Sequence, residues 1–191
     1  GVSGFVLDLR SNPGGLLMAS VEIARQWLDE GVIVSSSTRD GVSDVKRASG
    51  RALTKAPLVV LVNEGSASAS EILSGAIQDN NRGVVVGKKT FGKGLIQSVR
   101  GLSDGSGMTV TIAKYLTPSG KDIHKQGITP DVNANLSKAQ AQRLKFEDLG
   151  TRNDPQYRVA ESELAKLLRQ SSAKPEVSFE GDVQLNVFSA N

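Results

Sequence analysis

The sequence contains no cysteine and one histidine, His124. The first absence excludes disulfides, thiol catalysis and cysteine zinc sites, and fits a reducing or an oxidising compartment equally. The second excludes a multi-histidine metal centre. Aromatic residues make up only 4% of the 191, so a core must be assembled from Val, Ile, Leu and Ala. No run approaches the roughly 20 apolar residues of a membrane-spanning helix, and no secretory leader pattern is visible. Charge of one sign is scarcely in excess. The 23 Lys and Arg against 20 Asp and Glu leave a formal net charge of +3, spread along the chain, which argues against a nucleic-acid partner.

What is present is enough for a folded domain. Hydrophobic residues reach 38% of the chain, at a length typical of one domain or a domain with a tail. Twenty glycines point to tight turns or close backbone approaches. The chain opens on Gly1-Val2-Ser3-Gly4 and runs at once into a strand pattern, so we expect a fragment or processed piece of a longer protein.

Residues 5–9 read as a short buried strand, followed by the turn Ser11-Asn12-Pro13-Gly14-Gly15. Leu17, Val21, Ala24 and Leu28 then recur at helical spacing, with Gly31 as the stop. Residues 32–34 suggest a strand, and 35–55 a loop or exposed hairpin. Pro57 opens Leu58-Val59-Val60-Leu61-Val62, an apolar run suited to a parallel sheet covered on both faces. A turn at 63–65 leads to a helix with Ala69, Ile72, Leu73, Ala76 and Ile77 on one side, and 84–86 form the next strand. Residues 58–86 are therefore expected to be a βαβ unit. Residues 95–99 and 108–115 read as a hairpin around the turn 103–107. Residues 136–149 are polar with helical character, and Asp154-Pro155 starts a helix ending near Arg169. The weak alternation of Val177, Phe179, Val183, Leu185 and Val187 suggests that 171–191 are an edge strand or tail.

Two segments carry chemistry. Gly87-Lys88-Lys89-Thr90-Phe91-Gly92-Lys93-Gly94 nearly matches the phosphate loop GxxxxGK[ST]. However, Gly94 replaces the Mg²⁺-binding hydroxyl, and a strand pattern follows where a helix is needed. The plain alternative is a basic surface turn. The second segment, Ser66-Ala67-Ser68-Ala69-Ser70-Glu71, sits where a buried strand turns into a helix. Ser68 and Glu71 have capping-box spacing, so a structural cap explains them. A hydroxyl there can also serve as a nucleophile at the carboxyl end of a strand, beside helix N–H groups that favour negative charge. The GxSxG pattern of α/β-hydrolases is absent. His124 lies in a charged segment that nothing in the sequence brings to Ser68, so a histidine-based triad is the lesser alternative. A lysine can act as base when burial and dipoles lower its pKa from roughly 10.4. Lys93, among Phe91, Gly92, Gly94 and Leu95, is the candidate partner of Ser68. Gln97, four residues on, would share its face in a strand and could orient it.

Four ordered blocks, LDLRSNPGG (7–15), LVNEGSASASEI (61–72), VVVGKKTFGKGLIQSV (84–99) and TIAKYLTPSGKDIHKQGITPDV (111–132), resemble the carboxyl-terminal processing, or tail-specific, proteases. The resemblance covers about residues 1–170. It implies Ser68 as nucleophile, Lys93 as general base and Gln97 as its support. It implies an oxyanion hole from the N–H groups of Ala69 and of Gly14 or Gly15, with Gly14 preferred. Glu71 matches an acidic position that supports the site or only caps the helix. The fold implied is α/β, a mixed or parallel sheet with packed helices, similar to a ClpP/crotonase-like protease core and incomplete at its N-terminus. Residues 1–170 would form the partial catalytic core. A PDZ domain that binds the substrate's free C-terminus is expected outside this chain. The reaction implied is hydrolysis near a protein's C-terminus, without metal or cofactor. The compartment implied by the resemblance is extracytoplasmic: periplasm, envelope or thylakoid lumen, with peripheral membrane association also open. Phe146-Glu147-Asp148 and Asp154-Pro155-Gln156-Tyr157 with Ala160 are most similar to the photosynthetic branch, which trims a photosystem II reaction-centre subunit. The rivals are a general envelope protease and a non-catalytic binding protein on the same fold.

Overall fold

A computed structural model describes residues 1–172. In chain order the elements are β1 (Phe5–Asp8), α1 (Leu17–Trp27), β2 (Val32–Thr38), β3 (Gly41–Arg47), β4 (Leu58–Val62), α2 (Ala69–Asp79), β5 (Val84–Gly87), β6 (Leu95–Gly101), β7 (Gly107–Leu116), β8 (Val132–Asn133), α3 (Lys138–Arg143), a single 3-10 turn at Phe146–Asp148, and α4 (Pro155–Ser172). The alternating segment expected as an edge strand or tail lies outside the described residues from 173 onward. Ser171 and Ser172 belong to α4. Among the described residues no helix is long and apolar enough to cross a membrane.

Two four-stranded sheets share the strands. One is wholly parallel, in the order β1-β4-β5-β8, and the other is antiparallel, in the order β3-β2-β7-β6. All five residues of β4 are buried because both faces of the parallel sheet are covered. Side chains alternate across the pleat. Leu58, Val60 and Val62 pack with Val21, Ala24, Ile72, Leu73 and Ile77 of α1 and α2. Val59 and Leu61 join Val86 and Ala134 under Ala160 of α4. The expected βαβ unit is β4-α2-β5, with adjacent parallel strands paired Val59 to Val84 through Val62 to Gly87.

One expectation fails. The strands do not wind on into a ClpP/crotonase-like core. At Gly87, with φ +133°, the chain leaves the parallel sheet. The next two strands form a hairpin that pairs with β2 instead, Ser35 against Leu116. Both parallel and antiparallel strands are therefore present, but in separate sheets. Of the polar segment 35–55, read as a loop or exposed hairpin, residues 35–47 belong to the β2–β3 hairpin that completes the second sheet.

Candidate functional site

Strands β1, β4 and β5 end at the same edge of the parallel sheet, and three loops leave that edge together: 9–16, 63–68 and 88–94. This is where ligands bind in open α/β sheets. The loops are tied into one body. Ala67 N–H donates to Asn12 O at 3.0 Å, Phe91 N–H to Ser66 O at 3.0 Å, and Leu9 N–H to Leu61 O at 2.8 Å. Ser66 is fully buried; its hydroxyl donates to Leu9 O at 2.7 Å and accepts Asn63 N–H at 3.0 Å. Asn63 Oδ1 accepts Ser11 N–H at 2.7 Å, and its Nδ2 donates to Ser11 Oγ at 3.2 Å.

Ser68 stands at the N-terminus of α2 with φ 56° and ψ −116°. A non-glycine residue outside the ordinary wells stores strain and persists only where its surroundings dictate it. Its hydroxyl makes no capping hydrogen bond. Glu71 occupies the capping position instead, and does more than cap. Fully buried, its Oε2 accepts both Ser68 N–H and Lys93 N–H, each at 2.8 Å. Its Oε1 accepts Gly92 N–H and the Thr90 hydroxyl, each at 2.6 Å. One oxygen thus pins the backbones of Ser68 and Lys93 side by side, although 25 residues separate them in sequence. The Lys93 side chain is exposed, and among the described residues its Nζ has neither a hydrogen-bond nor an ion-pair partner. The same-face relation assumed for Lys93 and Gln97 is interrupted. Lys93 precedes β6, and the register shifts between Ile96 and Gln97. Gln97 is exposed and makes no hydrogen bond to Lys93.

The turn at 12–15 faces Ser68 directly. Gly14 has φ +98°, and a Cβ there would lie 2.6 Å from Ala67 O and 2.8 Å from Ala69 N. Glycine is required for the backbone angle, and it also leaves Ala69 N–H uncovered. That N–H donates no hydrogen bond to any described residue, and neither does Gly15 N–H. Gly14 N–H is taken by Asn12 Oδ1 at 3.0 Å. Beside these groups is a small cavity of about 110 Å³, lined by Gly14, Gly15 and Ala69 and by the apolar side chains of Leu16, Ala19, Ile23 and Leu73.

The glycines of 92–94 serve packing. A Cβ on Gly94 would lie 2.5 Å from His124 N, so the Lys93 loop lies directly on the 123–127 segment, and Lys125 N–H donates to Gly92 O at 2.9 Å. His124 is therefore a buttress behind that loop. Its Nδ1 is buried without a partner among the described residues, and it makes no hydrogen bond to Ser68. Asn63, Ser66 and Thr90 went unread in sequence. The only signal for them was polar residues set into otherwise apolar or glycine-rich strand ends.

The sequence profile of Peptidase family S41 matches residues 1–134. A "Carboxyl-terminal-processing protease" of Synechocystis sp. is 53% identical over 160 residues, which cover 84% of this chain and 36% of that one. A "C-terminal processing peptidase, chloroplastic" of Tetradesmus obliquus is 54% identical over 133 residues, 69% of this chain and 29% of that one. The solved structure named "Photosystem II D1 C-terminal processing protease" superposes with a TM-score of 0.70 at 47% identity, covering 86% of this chain and 40% of that one. The chain thus spans about two fifths or less of the length of these proteins. The architecture follows this processing-protease fold, which is the finding that displaces the ClpP/crotonase-like expectation. With its profile matched over most of its length and its fold shared with a close relative, the chain belongs to peptidase family S41, among the carboxyl-terminal-processing proteases.

Proposed function

We propose that this chain carries the catalytic centre of a serine endopeptidase that cleaves near the C-terminus of protein substrates. The observation that carries the reading is the Glu71 clamp, because it brings Ser68 and Lys93 together from separate loops through their backbones. In this reading Ser68 Oγ attacks the scissile carbonyl while its proton passes to Lys93 Nζ. The tetrahedral oxyanion is held by Ala69 N–H with Gly14 or Gly15 N–H. Among the described residues Gly15 N–H has no acceptor; Gly14 would first have to release Asn12 Oδ1. Collapse breaks the C–N bond, and the lysine returns the proton to the leaving amine. Water then attacks the acyl-enzyme, giving its proton to Lys93 and restoring Ser68. Gln97 would steady the lysine once it swings from solvent toward Ser68, a closure suited to an enzyme that assembles its site on substrate.

The remaining assignments rest on relatives. A photosystem II reaction-centre precursor as substrate is supported by the solved structure named for photosystem II D1, and the thylakoid-lumen or periplasmic setting we propose is in keeping with the chloroplastic relative. We assign residues 1–170 to the catalytic core and place the module that recognises the substrate tail, a PDZ domain, outside this chain. The small apolar cavity beside Gly15 and Ala69 is suited to the side chain that precedes the scissile bond.

The test compares Ser68→Ala, Lys93→Ala and His124→Ala in the full-length protein, on a protein substrate with a C-terminal extension. The first two should lose on the order of 10³-fold or more in kcat with an unchanged melting temperature. His124→Ala should retain activity. Activity that survived loss of Lys93 but not of His124 would replace the base assignment.

A further inference from the structure

The S41 profile ends at residue 134, yet Arg10, two residues before the turn at 12–15, is held by residues well beyond it. Asp154 is fully buried and has two roles. Its Oδ1 caps α4, accepting Gln156 N–H at 2.9 Å and Tyr157 N–H at 3.2 Å. Its Oδ2 pairs with Arg10 Nη2 at 2.7 Å and accepts Gly150 N–H at 3.2 Å. The Arg10 side chain is only 7% exposed. Its Nε and Nη2 also meet Asp8, and its Nη1 donates to Gln156 Oε1 at 3.1 Å. Gln156 is itself anchored through Nε2 to Ala134 O at 2.8 Å. Every donor face of the guanidinium is thus held by a partner, and the α4 partners are seated by the apolar packing of that helix on the sheet. Two residues after Arg10, Asn12 begins the turn that reaches Ala67, Ser68 and Ala69.

From this geometry we infer that Asp154, with Gln156, is a positioning residue for the oxyanion turn and acts through Arg10. The inference rests on the protease reading above. Donors to an oxyanion contribute in the transition state more than in the bound ground state, so a displaced turn lowers kcat and leaves KM nearly constant. A shift of about 1 Å costs up to roughly a hundredfold. A pure capping role is separable, because asparagine caps a helix as well as aspartate does but carries no charge for Arg10. Asp8 remains to neutralise the guanidinium in that variant.

The experiment is a double-mutant cycle in the full-length protein with Arg10→Gln, Asp154→Asn and the pair. It is read by steady-state kinetics and by amide hydrogen exchange over residues 10–16 and 155–170. Asp154→Asn should lower kcat about tenfold or more and change KM less than about twofold. It should speed exchange at 10–16 while 155–170 stays protected, and the double variant should be no slower than Arg10→Gln. Unchanged kcat and unchanged exchange at 10–16, or effects that simply multiply in the double variant, would overturn the inference. Cleavage that persisted in Ser68→Ala would overturn the protease reading instead; the exchange data would still decide the role of Asp154.

Discussion

Glu71 and Asp154 are both fully buried carboxylates, and each holds one wall of the site with different partners. Glu71 is surrounded by neutral donors: three backbone N–H groups and one hydroxyl. Asp154 faces a guanidinium as well as N–H groups. The neutral set fixes the backbones of Ser68 and Lys93 and leaves the Lys93 side chain exposed. The charged set fixes a side chain, Arg10, two residues before the turn at 12–15. The electrostatics follow this division. Burial alone would lower the Arg10 pKa, but hydrogen bonds and charge from Asp8 and Asp154 hold it above the ordinary value. Burial alone would raise that of Asp154, and the Arg10 hydrogen bond holds it below the usual carboxylate range. One wall is organised by geometry, the other by charge.

The largest expected break in that comparison is on the Glu71 wall. Glu71→Ala leaves four donors unpaired, two of them buried (Thr90 Oγ1 and Gly92 N–H) and two part-buried, and a buried one costs about 1–3 kcal/mol. Allowing for relaxation, the unfolding free energy from urea titration should fall by about 3–5 kcal/mol, with activity falling at least a hundredfold as Ser68 and Lys93 separate. Glu71→Gln keeps the shape but turns an NH₂ toward those donors. It should stay folded and still lose most activity. Full activity in a folded Glu71→Gln variant would show that the clamp does not set the pair.

How much of this was legible depended on whether a signal was local. The β4-α2-β5 unit followed from an apolar run, a helical repeat and a second apolar run. Ser68 was legible as a helix-start residue because Glu71 follows at capping distance, but the other contacts of Glu71 come from a loop about 20 residues away, and no periodicity encodes them. Pairing of β2 with β7 joins segments about 80 residues apart, so the second sheet could not be read from 35–47, whose polar residues suit a sheet exposed on one face. Asp154 was visible as a helix start, and Arg10 as a charge after an apolar strand. That they meet is a property of the fold alone.

On the charged wall the expected effect is smaller and depends on pH. The folded-state pKa of Asp154 lies below its ordinary 3.8, so its contribution to stability is fully present above pH 3.8. It is lost as pH falls through the lower folded value. At pH 7, Asp154→Asn should cost on the order of 1–3 kcal/mol. The gap between wild type and variant should close as urea titrations are taken below pH 3.8. A gap that stayed constant with pH would mean that the ion pair contributes nothing and that the two walls are held alike.

The smallest effect concerns the place where the walls meet. The cavity is bounded by Gly14 and Gly15 from one wall, by Ala69 and Leu73 from the other, and by Ala19 and Ile23 of α1. α1 buries Val21 and Ala24 in the core, yet its Met18 and Ile23, and Leu16 just before it, are exposed at 47%, 39% and 79%. Apolar residues on the outward side of a short helix are suited to a substrate side chain rather than to the core. Ala19 is exposed, and leucine is a good helix former, so Ala19→Leu should fold while narrowing the cavity, and Ile23→Ala should widen it. For peptides differing only in the residue before the scissile bond, Ala19→Leu should lower kcat/KM for valine relative to alanine by about tenfold. Ile23→Ala should shift the ratio the other way, with thermal stability changing little at either exposed site. Equal ratios in all three proteins would place the substrate side chain elsewhere and leave this cavity as a gap between two independently held walls.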